Sequence, residues 1–97
     1  MEMHVPDWPA GLVSYKRTAE FDEHTCPKGL QQAHSTKPGV WGKLHVLEGS
    51  LRFRDLVSGE AHLLGQGIHP IIFPQQVHEV ELCGPVRFFV EFHAAGK

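Results

Sequence analysis

Val40-Trp41-Gly42-Lys43-Leu44-His45-Val46-Leu47-Glu48, then Gly49-Ser50, then Leu51-Arg52-Phe53-Arg54-Asp55-Leu56-Val57: this stretch decides the fold. Its second half sets Leu51, Phe53 and Asp55 against Arg52, Arg54 and Leu56, a period of two. Successive side chains of a strand point to opposite faces, so the period reads as β structure. Gly49-Ser50 reads as a turn between two strands, 40–48 and 51–57. Ser58-Gly59 then closes a hairpin into a strand over 61–64.

The same grammar extends in both directions. Residues 12–18 alternate and predict a first strand, 21–27 are polar and loop-like, and 29–34 predict a short strand before the Pro38-Gly39 turn. Beyond Gly65-Gln66-Gly67, residues 68–73 form an apolar strand interrupted by Pro70. Pro74 to Gln76 turn, 78–82 pair back, Gly84-Pro85 turn again, and 86–93 make a last strand rich in phenylalanine. That is about eight strands and no helix, spaced as in a sandwich or barrel; closing the sheet would remove its open edges. The fold class expected is all-β, a single small barrel over residues 1–97, with an N-terminal arm over 1–10 where Pro6 and Pro9 forbid regular pairing.

The 97 residues suffice for one domain. With a net charge of −2 and no basic stripe, nucleic-acid binding is not expected. No run is long enough for a membrane helix and residues 1–9 do not resemble a signal peptide, so no membrane partner and a cytoplasmic location are expected. Cys26 and Cys83 fit no zinc spacing and read as free thiols. The unusual feature is eight histidines. Neutral imidazole ligates metals and titrates near neutral pH.

Three segments, Val46-Leu47-Glu48-Gly49-Ser50-Leu51, Gly65-Gln66-Gly67 and Ile72-Phe73-Pro74-Gln75-Gln76-Val77-His78, resemble the cupin core. The stretches Gly11-Leu12-Val13-Ser14-Tyr15-Lys16-Arg17-Thr18, His34-Ser35-Thr36-Lys37-Pro38-Gly39-Val40-Trp41-Gly42 and Pro85-Val86-Arg87-Phe88-Phe89-Val90-Glu91-Phe92 narrow this. They resemble the TehB/YeaR-like cupin domain family. The resemblance implies a jelly-roll barrel and an association with tellurite resistance, in a family found both as a free small protein and as an N-terminal extension of methyltransferases. The methyltransferase domain itself is not expected in these residues, because it needs βα repeats and a glycine-rich loop.

The resemblance also orients the site. His78 matches the histidine that follows the proline turn. His34 stands near the first histidine of an H-x-H pair, but Ser35 and Thr36 follow and the pair is broken. Gly42 sits where a glutamate ligand belongs. With Gly42 inward, Leu44 and Val46 also point inward, while Trp41, Lys43, His45 and Leu47 face outward. Gln32 shares the parity of His34, and Glu91 lies in the phenylalanine-rich strand, where an unpaired buried acid would be costly. The candidate metal ligands are therefore His34, His78, Glu91 and Gln32, for a divalent ion: zinc, iron, nickel or manganese.

The function expected is thus a small cupin barrel with a divalent-metal pocket, tied by resemblance to tellurite or oxyanion stress. The broken H-x-H supports an alternative, a non-catalytic module without metal that binds a small ligand or a protein. A third reading is an oligomer-forming structural protein. No nucleophile–base pair can be identified, so catalysis is open. A small molecule or oxyanion and a second copy in a homodimer, through outward Trp41 and Leu47, are the expected partners.

Overall fold

The structure is a computed structural model and describes residues 8–96. Its elements in chain order are β1 (Leu12–Arg17), β2 (Phe21–Asp22), one turn of 3-10 helix (Lys28–Gln31), β3 (Trp41–Asp55), β4 (Ala61–Leu64), β5 (Gly67–Ile72) and β6 (His78–Ala95). The all-β expectation holds. The strands form one six-stranded antiparallel sheet in the order β1-β6-β3-β4, with β2 also on β6 and β5 also on β3. The sheet is not closed into a barrel: β1 and β2 end it on one side, β4 and β5 on the other.

Two expected turns are not turns. Gly49-Ser50 lies inside the 15-residue β3, and Gly84-Pro85 inside the 18-residue β6. The two long strands pair from Trp41↔His93 to Asp55↔His78, and the register slips between Val46 and Glu48 and between Gly49 and Leu51. Such slips are bulges, which bend a strand without ending it. Gly49 takes φ 74°, the left-handed region that favours glycine, so the chain bends and continues where a hairpin was expected. The short strand expected over 29–34 is also replaced. Leu30 N–H donates to Pro27 O at 3.0 Å, and Lys28–Gln31 close a 3-10 turn.

One face of the sheet carries the core. Leu44, Val46, Leu51, Phe53, Val80, Val86, Phe88 and Val90 are buried there with Leu64 and Ile72. The inward parity of Gly42, Leu44 and Val46 is as expected: they are buried, and the residues between them less so. Burying such side chains supplies most of the stability, at about 25 cal/mol per Å² of apolar surface. On the other face, Arg52 bonds Glu81 at 2.9 Å and Arg54 bonds Glu79 at 3.1 Å across β3 and β6. Such pairs each contribute about 0.2–1 kcal/mol. No helix among the described residues is long and apolar enough to cross a membrane.

Of the arm expected over 1–10, residues 1–7 lie outside the described residues. Trp8 packs on the sheet: its Nε1–H donates to Pro70 O at 3.2 Å, and its ring meets Trp41 and His93 at 5.6 and 5.0 Å between centroids. Trp41, expected on an outward apolar row, therefore lies under Trp8 and against Phe73.

Candidate functional site

Pro74 and the bend after it place His78. Phe73 N–H donates to Gln76 Oε1, Gln76 N–H returns to Phe73 O, and Gln75 takes φ 60°, rare for a residue with a side chain. Backbone held in such a region is often part of a functional site. Gln76 Nε2 also donates to Asp55 Oδ2 at 2.8 Å, tying the turn to the end of β3. His78 thus opens β6 as the sequence suggested, with its side chain 1% exposed and its ring stacked on Phe53 at 4.9 Å.

His34 is brought to His78 by the backbone. The two residues exchange both main-chain hydrogen bonds, each 2.9 Å, in an isolated antiparallel bridge. Their rings meet edge to face with centroids 4.2 Å apart. Each ring is fixed in the same way. His78 Nδ1 donates to Gln76 O at 2.9 Å, and His34 Nδ1 donates to Gln32 O at 2.8 Å. A carbonyl can only accept, so Nδ1 carries a proton in both rings, and the lone pair of the neutral form lies at Nε2. Burial, and after it the neighbouring His34, push the His78 pKa down to about 4, so its ring is neutral at physiological pH.

The pair lines a cavity of about 380 Å³. Leu30, Val40, Ile72, Val90 and Phe92 supply its apolar wall, and Tyr15, Thr18, Ser35 and Thr36 its hydroxyls. Lys16 and Lys37 supply positive charge. Among the described residues no aspartate or glutamate lines it. Gly42 explains part of that: a Cβ there would meet Ile72 Cβ at 3.0 Å, so Ile72 occupies the room a larger side chain would need.

Two expected site residues lie elsewhere. Gln32 is exposed and reaches His34 only through its backbone carbonyl. Glu91 points to the opposite face of the sheet, where its Oε1 lies 3.1 Å from His45 Nε2 and 3.0 Å from His93 Nε2. The His45 contact is a hydrogen bond. The His93 contact is an ion-pair approach, and His93 Nε2 is sealed without a hydrogen-bond partner among the described residues. His93 beside it, with His45 and Ser14, outweighs burial and draws the Glu91 pKa down to about 2. His45 stacks on Phe89 at 4.3 Å, with interplanar angle 11°. It faces outward as expected, yet half-buried. Sequence reasoning missed this group because each member was weighed alone. The cross-strand pairs Lys43↔Glu91 and Trp41↔His93 place it, and only the β3–β6 register reveals them.

The four-ligand metal set is therefore not assembled, and the expectation of a divalent-metal cofactor is overturned. Among the described residues no group of three or more His, Cys, Asp or Glu side chains could hold a metal ion. Two imidazoles without a third protein ligand fall short of the three or four that zinc sites use.

Comparison with known proteins points the same way. The model of the TehB-like domain family matches residues 16–90. Over 75 residues the chain is 37% identical to "Probable S-adenosyl-L-methionine-dependent methyltransferase TehB" of Haemophilus influenzae, covering 72% of this chain and 26% of that protein. The chain thus spans about a quarter of the length of the curated relatives it matches. The crystal structure of TehB from Haemophilus influenzae superposes with a TM-score of 0.79 at 32% identity, covering 89% of this chain and 32% of that one. A protein from E. coli strain K12 superposes with a TM-score of 0.83 at 21% identity over 96% of this chain and 100% of its own, a likeness of fold. These relatives are named for S-adenosyl-L-methionine-dependent methyl transfer, and the expectation of a metal-binding cupin is corrected.

Proposed function

The chain belongs to the TehB-like domain family, and from that premise we propose that it is a binding domain working beside S-adenosyl-L-methionine-dependent methyl transfer, holding a small oxyanion in the His34–His78 cavity. The observation that carries this reading is the cavity's chemistry: Lys16 and Lys37 with the hydroxyls of Tyr15 and Ser35, and among the described residues no carboxylate. Charge-assisted hydrogen bonds from such donors contribute about 1.5–3 kcal/mol each. The tellurite association that came with the family resemblance supplies the class of anion.

The cavity does not fit the relatives' cofactor. S-adenosyl-L-methionine carries a sulfonium cation and a ribose diol, which call for carboxylates or aromatic faces. Two ammonium groups repel the first, and among the described residues no acid lines the cavity to accept from the second. Among the described residues no α-helix follows a strand to offer an N-terminus to a nucleotide. No step of methyl transfer is therefore assigned to this chain's own side chains. Its contribution is to bind and desolvate the anion.

A homodimer is part of the proposal, supported by the open edge of β1, where Val13 and Tyr15 are half-exposed. A cytoplasmic address is also proposed, in keeping with free Cys26 and Cys83.

Calorimetry of the intact chain with sodium tellurite tests the reading. Saturable binding is expected, weakened about tenfold or more when Lys16 and Lys37 are both replaced by alanine. Saturable binding of S-adenosyl-L-methionine, with no response to tellurite, would overturn it.

A further inference from the structure

His78 lines the cavity and keeps one free ring nitrogen, Nε2, as an acceptor. Its Nδ1–H is committed to Gln76 O at 2.9 Å, in a turn that Asp55 braces through Gln76 Nε2 at 2.8 Å. The ring stacks on Phe53 and meets His34 edge to face, and a flip would lose that bond. Among the described residues the one sealed side-chain nitrogen without a partner is His93 Nε2. His78 Nε2 has no partner among the described residues either and is not sealed, so the little surface it keeps lies on the cavity that His78 lines.

A bare oxyanion offers only lone pairs. Set against the lone pair of His78 Nε2, it meets repulsion and leaves a buried acceptor unsatisfied. An oxyanion that still carries one proton offers an O–H at that point and its negative oxygens to Lys16 and Lys37. We propose that the cavity selects hydrogen-bearing oxyanions over fully deprotonated ones, with the ligand's O–H donating to His78 Nε2 and its charge facing the two lysines. This rests on the reading of the cavity as an anion site and names which form of the anion it takes.

Selenite and selenate separate the two ideas. They share an element; near neutral pH selenite is a pyramidal monoanion that keeps a proton and selenate a tetrahedral dianion that does not, so the charge of the two lysines alone would favour selenate. Titration of the intact protein should show selenite binding about tenfold tighter than selenate, the ratio one satisfied hydrogen bond gives. Nitrogen NMR of the labelled protein should show the His78 Nε2 resonance moving upfield on selenite, as a lone pair that gains a hydrogen bond does, and staying still on selenate. Replacing His78 with glutamine, whose amide can turn its N–H inward, should bring the two affinities together. Should that variant not fold, the wild-type nitrogen shift decides alone. Equal binding of both anions to the wild type, with His78 Nε2 unmoved, would overturn the proton selection and leave the anion site standing. Binding of neither would overturn both.

Discussion

The carbonyl oxygen of Pro85 occupies the space where a side chain on Gly49 would begin. Both residues lie at the bend shared by β3 and β6, and the contact is between backbones, so neither strand can yield cheaply. Gly49 also holds φ 74°. Gly49→Ala should therefore cost about 2–4 kcal/mol, combining left-handed strain with the clash. Gly59 has φ 81° and nothing within 4 Å of its would-be Cβ, so Gly59→Ala should cost only about 1 kcal/mol. Thermal melts of the two variants compare them directly. Equal melting points would mean that the bend is loose.

His78 makes stability depend on pH in one window. Its folded pKa of about 4 lies below the ordinary 6.5. Between these values the unfolded chain binds the proton and the folded one does not. Stability is thus full above pH 6.5 and falls as pH drops toward 4, by roughly 2–3 kcal/mol. Urea melts of the wild type and His78→Gln across that window should show the variant's profile flatter. An unchanged slope would mean that His78 is not held neutral by burial.

Glu91 acts in a lower window. Its pKa is drawn from 4.5 to about 2, so its contribution is present above pH 4.5 and lost as pH falls toward 2. Glu91→Gln should lower stability by about 1–2 kcal/mol at neutral pH and soften the acid transition. The tellurite response should survive, because Glu91 lies on the other face. Loss of tellurite binding in a folded Glu91→Gln would show that the two faces are coupled.

The proposed dimer is checked by mass. Light scattering at micromolar concentration should give twice the 10.9 kDa of one chain. A value near 10.9 kDa would remove it. Charging the β1 edge through Val13→Lys should lower a dimer's mass without altering the cavity, since Val13 is not among its lining residues.

The alternation of residues 41–46 was legible because period two survives any bend, and it correctly placed Leu44 and Val46 inside and His45 outside. Gly49-Ser50 and Gly84-Pro85 misled because glycine serves turns and bulges alike; only the partner strand tells them apart. His78 was legible from the proline turn before it. That His34 joins it is a long-range main-chain pairing, which local pattern does not encode. Glu91 was misplaced for the same reason: its partners His45 and His93 follow from β3–β6 register.

Crystals soaked in sodium tellurite and measured near the tellurium absorption edge test the central claim most directly, since anomalous scattering locates the atom itself. The account predicts one strong peak in the cavity, with ligand oxygens within hydrogen-bond reach of His78 Nε2 and the ammonium of Lys16 or Lys37. Peaks confined to the His45–Glu91–His93 face, or an empty cavity at saturating tellurite, would contradict it.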